Sequence, residues 1–225
     1  GVINNQGAYF FLDTHVQDDP TAEQITEATL QAAYRLKLFG IEPCVALLSH
    51  SNFGSHETPG SVKMRKVREL LLKRVPKLNV DGEMQGDTAW DEALRHQLMP
   101  NSTLKGRANL FVLPNLDAAN IAYNMVRVVT EGVAIGPILM GLSKPVHILT
   151  TSATPRLILN MTAIAAVDAQ IREQMEGGDQ ARALSWEYSD PDSKDSLIES
   201  RSDASEPVLG ESVKRWDNPG SATQG

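Results

Sequence analysis

Apolar residues along this chain fall into short runs, separated by longer stretches in which they recur every three or four positions. AYFFL, residues 8–12, is a short apolar run that stops at Asp13 before the polar stretch DTHVQDDP, which reads as a buried strand delivering a loop. Pro20 and Thr21 then open a helix that sets Ile25, Leu30, Ala33, Tyr34 and Leu38 near one face. It carries Glu early and ends at Gly40, with Arg35 and Lys37 in its last turns. CVALLS, residues 44–49, predicts a second buried strand, followed by a Ser-, Gly- and His-rich loop and a helix over 62–75 closed by Pro76. LNVDGE with a helix over 88–97, and NLFVLP with a helix over 117–129, repeat the unit. VAIGPILMG, a short strand in KPVHIL and a helix over 154–172 complete it. Strands alternating with helices predict a three-layer α/β fold around a mostly parallel sheet.

Composition supports that class. Aromatics make up only 5% of the chain, and the apolar content comes mainly from Ala, Val, Leu and Ile, as where helices pack on a sheet. Beyond residue 175 the chain turns to Ser, Asp, Glu, Gly and Pro, with too little apolar surface to offset ordering entropy, so a disordered acidic tail is expected over 176–225. That tail holds eleven Asp and Glu against five Lys and Arg, most of the net charge of −7. The nearly neutral body has no long-range field to gather a phosphate backbone or an anionic surface, so neither nucleic acid nor membrane is an expected partner. No apolar run approaches the roughly twenty residues needed to span a bilayer. Cys44 is the only cysteine, which excludes an intrachain disulfide and fits a reducing, cytoplasmic setting. The chain starts at Gly1 and runs directly into strand-like sequence, so a fragment of a longer polypeptide is expected.

Ligands of parallel α/β sheets bind beyond the C-terminal strand ends, which directs attention to the loops after Leu12, Ser49, Leu113 and Leu149. Neither GxGxxG nor GxxxxGK[ST] occurs, so nucleotide sites of those types are not expected. The loop SHSNFGSHETPGS combines Ser49, Ser51, two histidines and two glycines, with Gly60 or Ser61 at the helix start. Its backbone N–H groups suit an anion, and the same residues suit a plain cap and turn. His50 and His56 lack HExxH spacing or a matching carboxylate and read as loop histidines, while Cys44 reads as a packed core thiol. Asn115 and Asp117 stand at a strand-to-helix junction, with Asp117 placed as the N-cap. Gly136, Pro137 and Gly141 let backbone approach a ligand closely, Lys144 and His147 flank the short strand, and Thr150, Thr151, Ser152 and Thr154 supply hydroxyls before the last helix.

LLSHSNFGS, LPNLDAANIAY and GPILMGLSKPVHIL resemble, in order and spacing, the phosphate acetyl/butyryl transferase family, and the resemblance runs over 9–171. It implies a fold like that of isocitrate/isopropylmalate dehydrogenases, two α/β lobes with coenzyme A between them. On that pattern 1–142 is the second lobe and 143–175 returns to the first. Transferase members typically carry KPVNDLSRG where this chain has KPVHILTTS, so Thr150 and Thr151 replace the Ser and Arg of the phosphate and thioester chemistry. A helical acid of the family falls at Leu157, and the Lys of its NIGYK string falls at Asn124. Without the guanidinium fork, transition-state charge goes uncompensated.

HILTxSAT and NIAYN are similar to the version of the domain fused behind an NADP-dependent malic enzyme region. That likeness implies an acetyl-CoA-binding regulatory domain without catalytic residues, with NADP and a divalent metal confined to the upstream malic enzyme domain, and a homo-oligomer. The implied acyl-CoA contacts are Ser49, Ser51, Asn115, Asp117, Asn120, Gly136, Pro137, Gly141, Lys144, Thr150, Thr151 and Ser152. The competing expectation is an active phosphate acetyltransferase with Thr150 in the role of the usual Ser.

Overall fold

The computed structural model describes residues 1–142, 144–149, 151 and 153–176, so the expected tail lies outside the described residues apart from the last helical residue. Six strands, β1 (Val2–Asn4), β2 (Gly7–Leu12), β3 (Val45–Leu48), β4 (Val80–Met84), β5 (Leu110–Val112) and β6 (Val133–Ala134), form one sheet in the order β4-β3-β5-β2-β1-β6. The pairings β4-β3, β3-β5 and β5-β2 are parallel, whereas β1 runs antiparallel to both β2 and β6. The sheet is therefore mixed. Its unforeseen β1–β2 hairpin pairs Val2 with Tyr9 and Asn4 with Gly7. The three residues of β1 are too short to show alternation.

Period two along the strands builds two cores. Val45 and Leu47, with Leu110 and Val112, face a cluster completed by Ile25, Ala33, Leu36, Met64, Val67 and Leu71. Those helical residues lie on α1 (Ala22–Leu38) and α2 (Pro59–Arg74). Cys44, Ala46, Phe111 and Leu113 face the opposite cluster with Tyr9, Met84 and Ala89. Ala89 comes from α3 (Gly86–Trp90), and Ala119 in the same cluster from α5 (Leu116–Val129). Helices on both faces make the three layers, and each fully buried Leu or Val contributes about 2 kcal/mol. Tyr9, Trp90 and Phe111 stack, with centroids 4.4 Å apart for Tyr9–Trp90 and 5.4 Å for Trp90–Phe111. Few aromatics suffice because they are concentrated here.

Local chemistry sets the helix ends. Thr21 caps α1 in a reciprocal box with Gln24, and the helix stops before Gly40, whose φ of +74° suits glycine. The buried face of α1 includes Thr26 and Thr29, whose hydroxyls donate to Ala22 O and Ile25 O, both at 2.7 Å. Leu30, Tyr34 and Leu38 are only half-buried. The cap of α2 is Thr58, so neither Gly60 nor Ser61 begins that helix; Ser61 is the third residue and completes the box. The helix expected over 88–97 is broken in two by Asp91. Its extended backbone ends α3, and its carboxylate accepts Ala93 N–H and Leu94 N–H to start α4 (Glu92–Leu98). KPVHIL is not a strand: Pro145 offers no ladder donor, and no strand among the described residues pairs with 144–149. The last helix, α6, spans Pro155–Glu176. Gly82 in β4 has φ +137°, and a Cβ there would lie 2.5 Å from Leu47 O, so β3 and β4 approach more closely than any side chain allows.

Candidate functional site

The parallel strands open their C-terminal ends on one edge of the sheet. β6 joins them, because it is antiparallel to β1, which is itself antiparallel to β2. The loops after Leu12, Leu48, Met84, Val112 and Ala134 therefore gather along a single rim. A small pocket opens there, lined by Leu12, Asp13, Gln17, Ile25, Val112 and Asn115 among others. Asp13 has φ +46°, and its carboxylate accepts Val16 N–H at 2.9 Å and Gln17 N–H at 3.2 Å, which steadies that left-handed turn. Leu116 N–H donates to Asp18 O at 3.0 Å and Asn120 Nδ2 to Thr14 O at 3.0 Å, lacing the β2–α1 loop to the start of α5.

The β3–α2 loop is an anion-binding turn that the protein fills with its own carboxylate. Glu83, fully buried in β4, accepts Ser51 Oγ–H and Gly54 N–H through Oε1, each at 2.8 Å, and its backbone O accepts Phe53 N–H at 2.7 Å. His56 N–H donates to Ser51 Oγ at 3.0 Å. The donors that suited an external anion are thus committed internally, and Ser51, a candidate ligand residue, is sealed from solvent. Ser49 remains half-buried and accepts Ser51 N–H at 3.2 Å. His50 and His56 stand 5.1 Å apart, edge to face, on the exposed side.

β4 carries a second buried acid that sequence reasoning passed over. Burial pushes the Asp81 carboxyl up, but donors from Gly82 N–H, Ser102 Oγ and Thr103 N–H, with the Arg68 guanidinium, outweigh it and hold the group below the usual carboxylate range. The available signal was two acids, Asp81 and Glu83, at alternate positions inside an otherwise apolar strand. Arg95 was also missed. It is fully buried, and its guanidinium donates to Thr88 O, Ala89 O and Gly106 O. Beside it, burial raises the Cys44 thiol to about 11, and Sγ–H donates to Lys105 O at 3.2 Å, as befits a packed core thiol.

At the start of α5 the N-cap is Asn115, whose Oδ1 accepts Ala118 N–H at 3.0 Å, and Asp117 instead lies exposed in the first turn near the positive helix end. Asn120 and Asn124 follow on the same helix, and Asn124 Nδ2 donates to Asn120 O at 2.9 Å. Gly136 N–H meets Met161 Sδ of α6 at 3.0 Å. Pro137 follows it, and Gly141 and Lys144 are exposed beyond. Leu139 N–H donates to His147 Nδ1 at 3.3 Å, so the two segments GPILMG and KPVHIL touch. Burial, then the nearby Arg35 cation, holds the His147 pKa below its ordinary value. Arg35 of α1 pairs with buried Asp168 of α6, which also meets Arg172 Nε at 3.5 Å, fastening α6 to α1. Thr151 is exposed, Leu157 lies in the first turn of α6 with its N–H on Thr154 Oγ1 at 3.2 Å, and Thr150 and Ser152 lie outside the described residues.

This sheet, with its rim of polar loops and the ordered motifs along it, defines a phosphotransacetylase-type α/β domain. The family model described as Phosphate acetyl/butaryl transferase matches residues 2–166, and the chain belongs to that family. It is 56% identical over 165 residues to the NADP-dependent malic enzyme of Escherichia coli, a match covering 73% of this chain and 22% of that protein. The phosphate acetyltransferase of Paracoccus denitrificans is 40% identical over 166 residues, covering 73% of this chain and 52% of that one. A phosphotransacetylase structure from Streptococcus pyogenes superposes with a TM-score of 0.71 at 35% identity, over 76% of this chain and 52% of that chain. The chain thus spans about a fifth of the length of the malic enzyme it matches.

Proposed function

We propose that this chain is an acetyl-CoA-binding regulatory domain of an NADP-dependent malic enzyme, and that it has lost the transferase chemistry of its family. The observation that carries this reading is Asn124. It stands where the family resemblance puts a lysine, and its amide is tied to Asn120 O within the same helix, leaving a neutral group at that position of α5. Thr151 and Leu157 are likewise uncharged where the resemblance puts an arginine and an acid. A pocket of hydroxyls and backbone amides holds a thioester. Without a fixed cation it does not stabilise charge passing between phosphate and acyl carbon.

On this reading residues 1–142 are the second lobe of an isocitrate/isopropylmalate dehydrogenase-like pair and 143–175 return to the first. The acyl-CoA contacts are Ser49, Asn115, Asp117, Asn120, Gly136, Pro137, Gly141, Lys144, Thr150, Thr151 and Ser152, with Ser51 acting from behind. NADP and a divalent metal belong to the upstream malic enzyme domain, which converts malate to pyruvate and CO2 in the cytoplasm. Acetyl-CoA regulates that domain by favouring one of two states of the assembly, since a ligand of equal affinity for both shifts nothing. The assembly is a homo-oligomer, a reading supported by the exposed Ile121, Met125, Val128 and Val129, spaced along one side of α5. Isothermal calorimetry of the full-length protein with acetyl-CoA tests the proposal: saturable binding is expected, and its absence overturns it. Brisk, phosphate-dependent formation of acetyl-CoA from acetyl phosphate in this pocket would establish the transferase instead.

A further inference from the structure

The end of β4 reaches into the β3–α2 loop twice. Glu83 Oε1 accepts Ser51 Oγ–H and Gly54 N–H. Two residues on, Gln85 N–H donates to Asn52 Oδ1 at 2.8 Å, Asn52 Nδ2 donates to Gln85 Oε1 at 3.1 Å, and Gln85 Nε2 donates to His50 O at 2.8 Å. The loop so held contains Phe53 at φ +47° and Gly54 at φ +86°, two successive left-handed residues, the first of which is unfavourable without support. Glu83 also has a feature that packing does not explain. Its Oε2 is buried with no hydrogen-bond partner, and the nearest cation, Arg65 Nη1, lies 4.0 Å from Oε1 while Arg65 Nη2 is engaged by Glu57 at 2.9 Å. A carboxylate kept fully buried at such a desolvation cost is more than a core needs, and it supplies a stronger acceptor than a neutral group would.

We propose that Glu83 is the positioning residue of the ligand rim. Its sealed carboxylate fixes the backbone of residues 51–56, so that Ser49, whose Oγ accepts Ser51 N–H, presents a set hydroxyl to the acyl-CoA. The identity of that ligand rests on the acetyl-CoA reading above, whereas the hold on the loop rests on the hydrogen bonds alone. Glu83 touches no ligand itself and acts through Ser51 and Gly54.

The test uses the full-length protein with Glu83→Ala, Glu83→Gln and Ser51→Ala, and two readouts: hydrogen exchange of the Gly54 and His56 amides, and calorimetric affinity for acetyl-CoA. Removing the acceptor in Glu83→Ala speeds exchange about tenfold or more and weakens acetyl-CoA by a similar factor, as the loss of the hydrogen bonds from Ser51 and Gly54 implies. Glu83→Gln keeps an acceptor oxygen and stays within about threefold of wild type on both readouts, a rescue that a requirement for bulk alone does not predict. Ser51→Ala removes one donor to Glu83 and also the acceptor of His56 N–H, so it is read on Gly54 exchange and on affinity, where it falls between them, and it decides the matter if Glu83→Ala fails to fold. Wild-type exchange in the folded variants overturns the proposal, and so does faster exchange with unchanged affinity. If the wild type binds no acetyl-CoA, the functional reading falls, and the exchange comparison alone still decides whether Glu83 holds the loop.

Discussion

Asp81 is 2% exposed and shares its two oxygens among Gly82 N–H, Ser102 Oγ, Thr103 N–H and Arg68. Truncation strands those donors, so Asp81→Ala is expected to cost about 3 kcal/mol in urea unfolding at pH 7. Its folded pKa lies below the value of about 3.9 in an unfolded chain, so the stability it contributes is fully present above that pH. It is lost as pH falls through the folded value, and unfolding curves of wild type and Asp81→Asn should converge below about pH 4. Cys44 titrates in the opposite direction. With its thiol raised to about 11, alkylation by iodoacetamide at pH 8 should be slow in the native protein and fast in urea, as followed by mass spectrometry. The apolar run around Cys44 announced its fate in the sequence. Glu83 was signalled only by its alternation with Asp81 inside an apolar strand, and its role was not, because a buried carboxylate is defined by donors thirty residues away rather than by its neighbours in the chain.

Elements were legible where a local signal sufficed. Thr21 and Gln24 mark the start of α1 within four residues, and Thr21→Ala should lower stability by about 1 kcal/mol in thermal melts. The start of α2 was placed late, because Gly60 and Ser61 look like caps, whereas Thr58 takes that place and Pro59 occupies the first helical position. Asp91 interrupts what periodicity joins into one helix, since its side chain serves α4 better as a cap than as an interior residue. Apolar content made KPVHIL resemble a strand, yet strand formation needs a partner, and β6 already ends the sheet. The buried face of α1 was partly misjudged for a related reason: threonine hydroxyls that bond to their own helix pack inward as readily as methyl groups.

For the molecule as a whole, the family and the α/β class were readable from three ordered motifs, and the rim follows from strand direction. The mixed character of the sheet was not readable, since it depends on long-range pairing of β1 with β2 and β6. If acetyl-CoA binds the native state alone, adding it at a hundred times its Kd should raise stability by about 2.7 kcal/mol, visible as a higher melting temperature in differential scanning calorimetry. Gly82 ties these scales together. It lies between Asp81 and Glu83, and a single methyl group at its α-carbon would strike Leu47 O at 2.5 Å. The strand could then escape only by sliding away from β3, and both acids would leave their loops in the same movement. The position least able to vary is accordingly one with no side chain, and damage there would be felt on two separated parts of the surface at once.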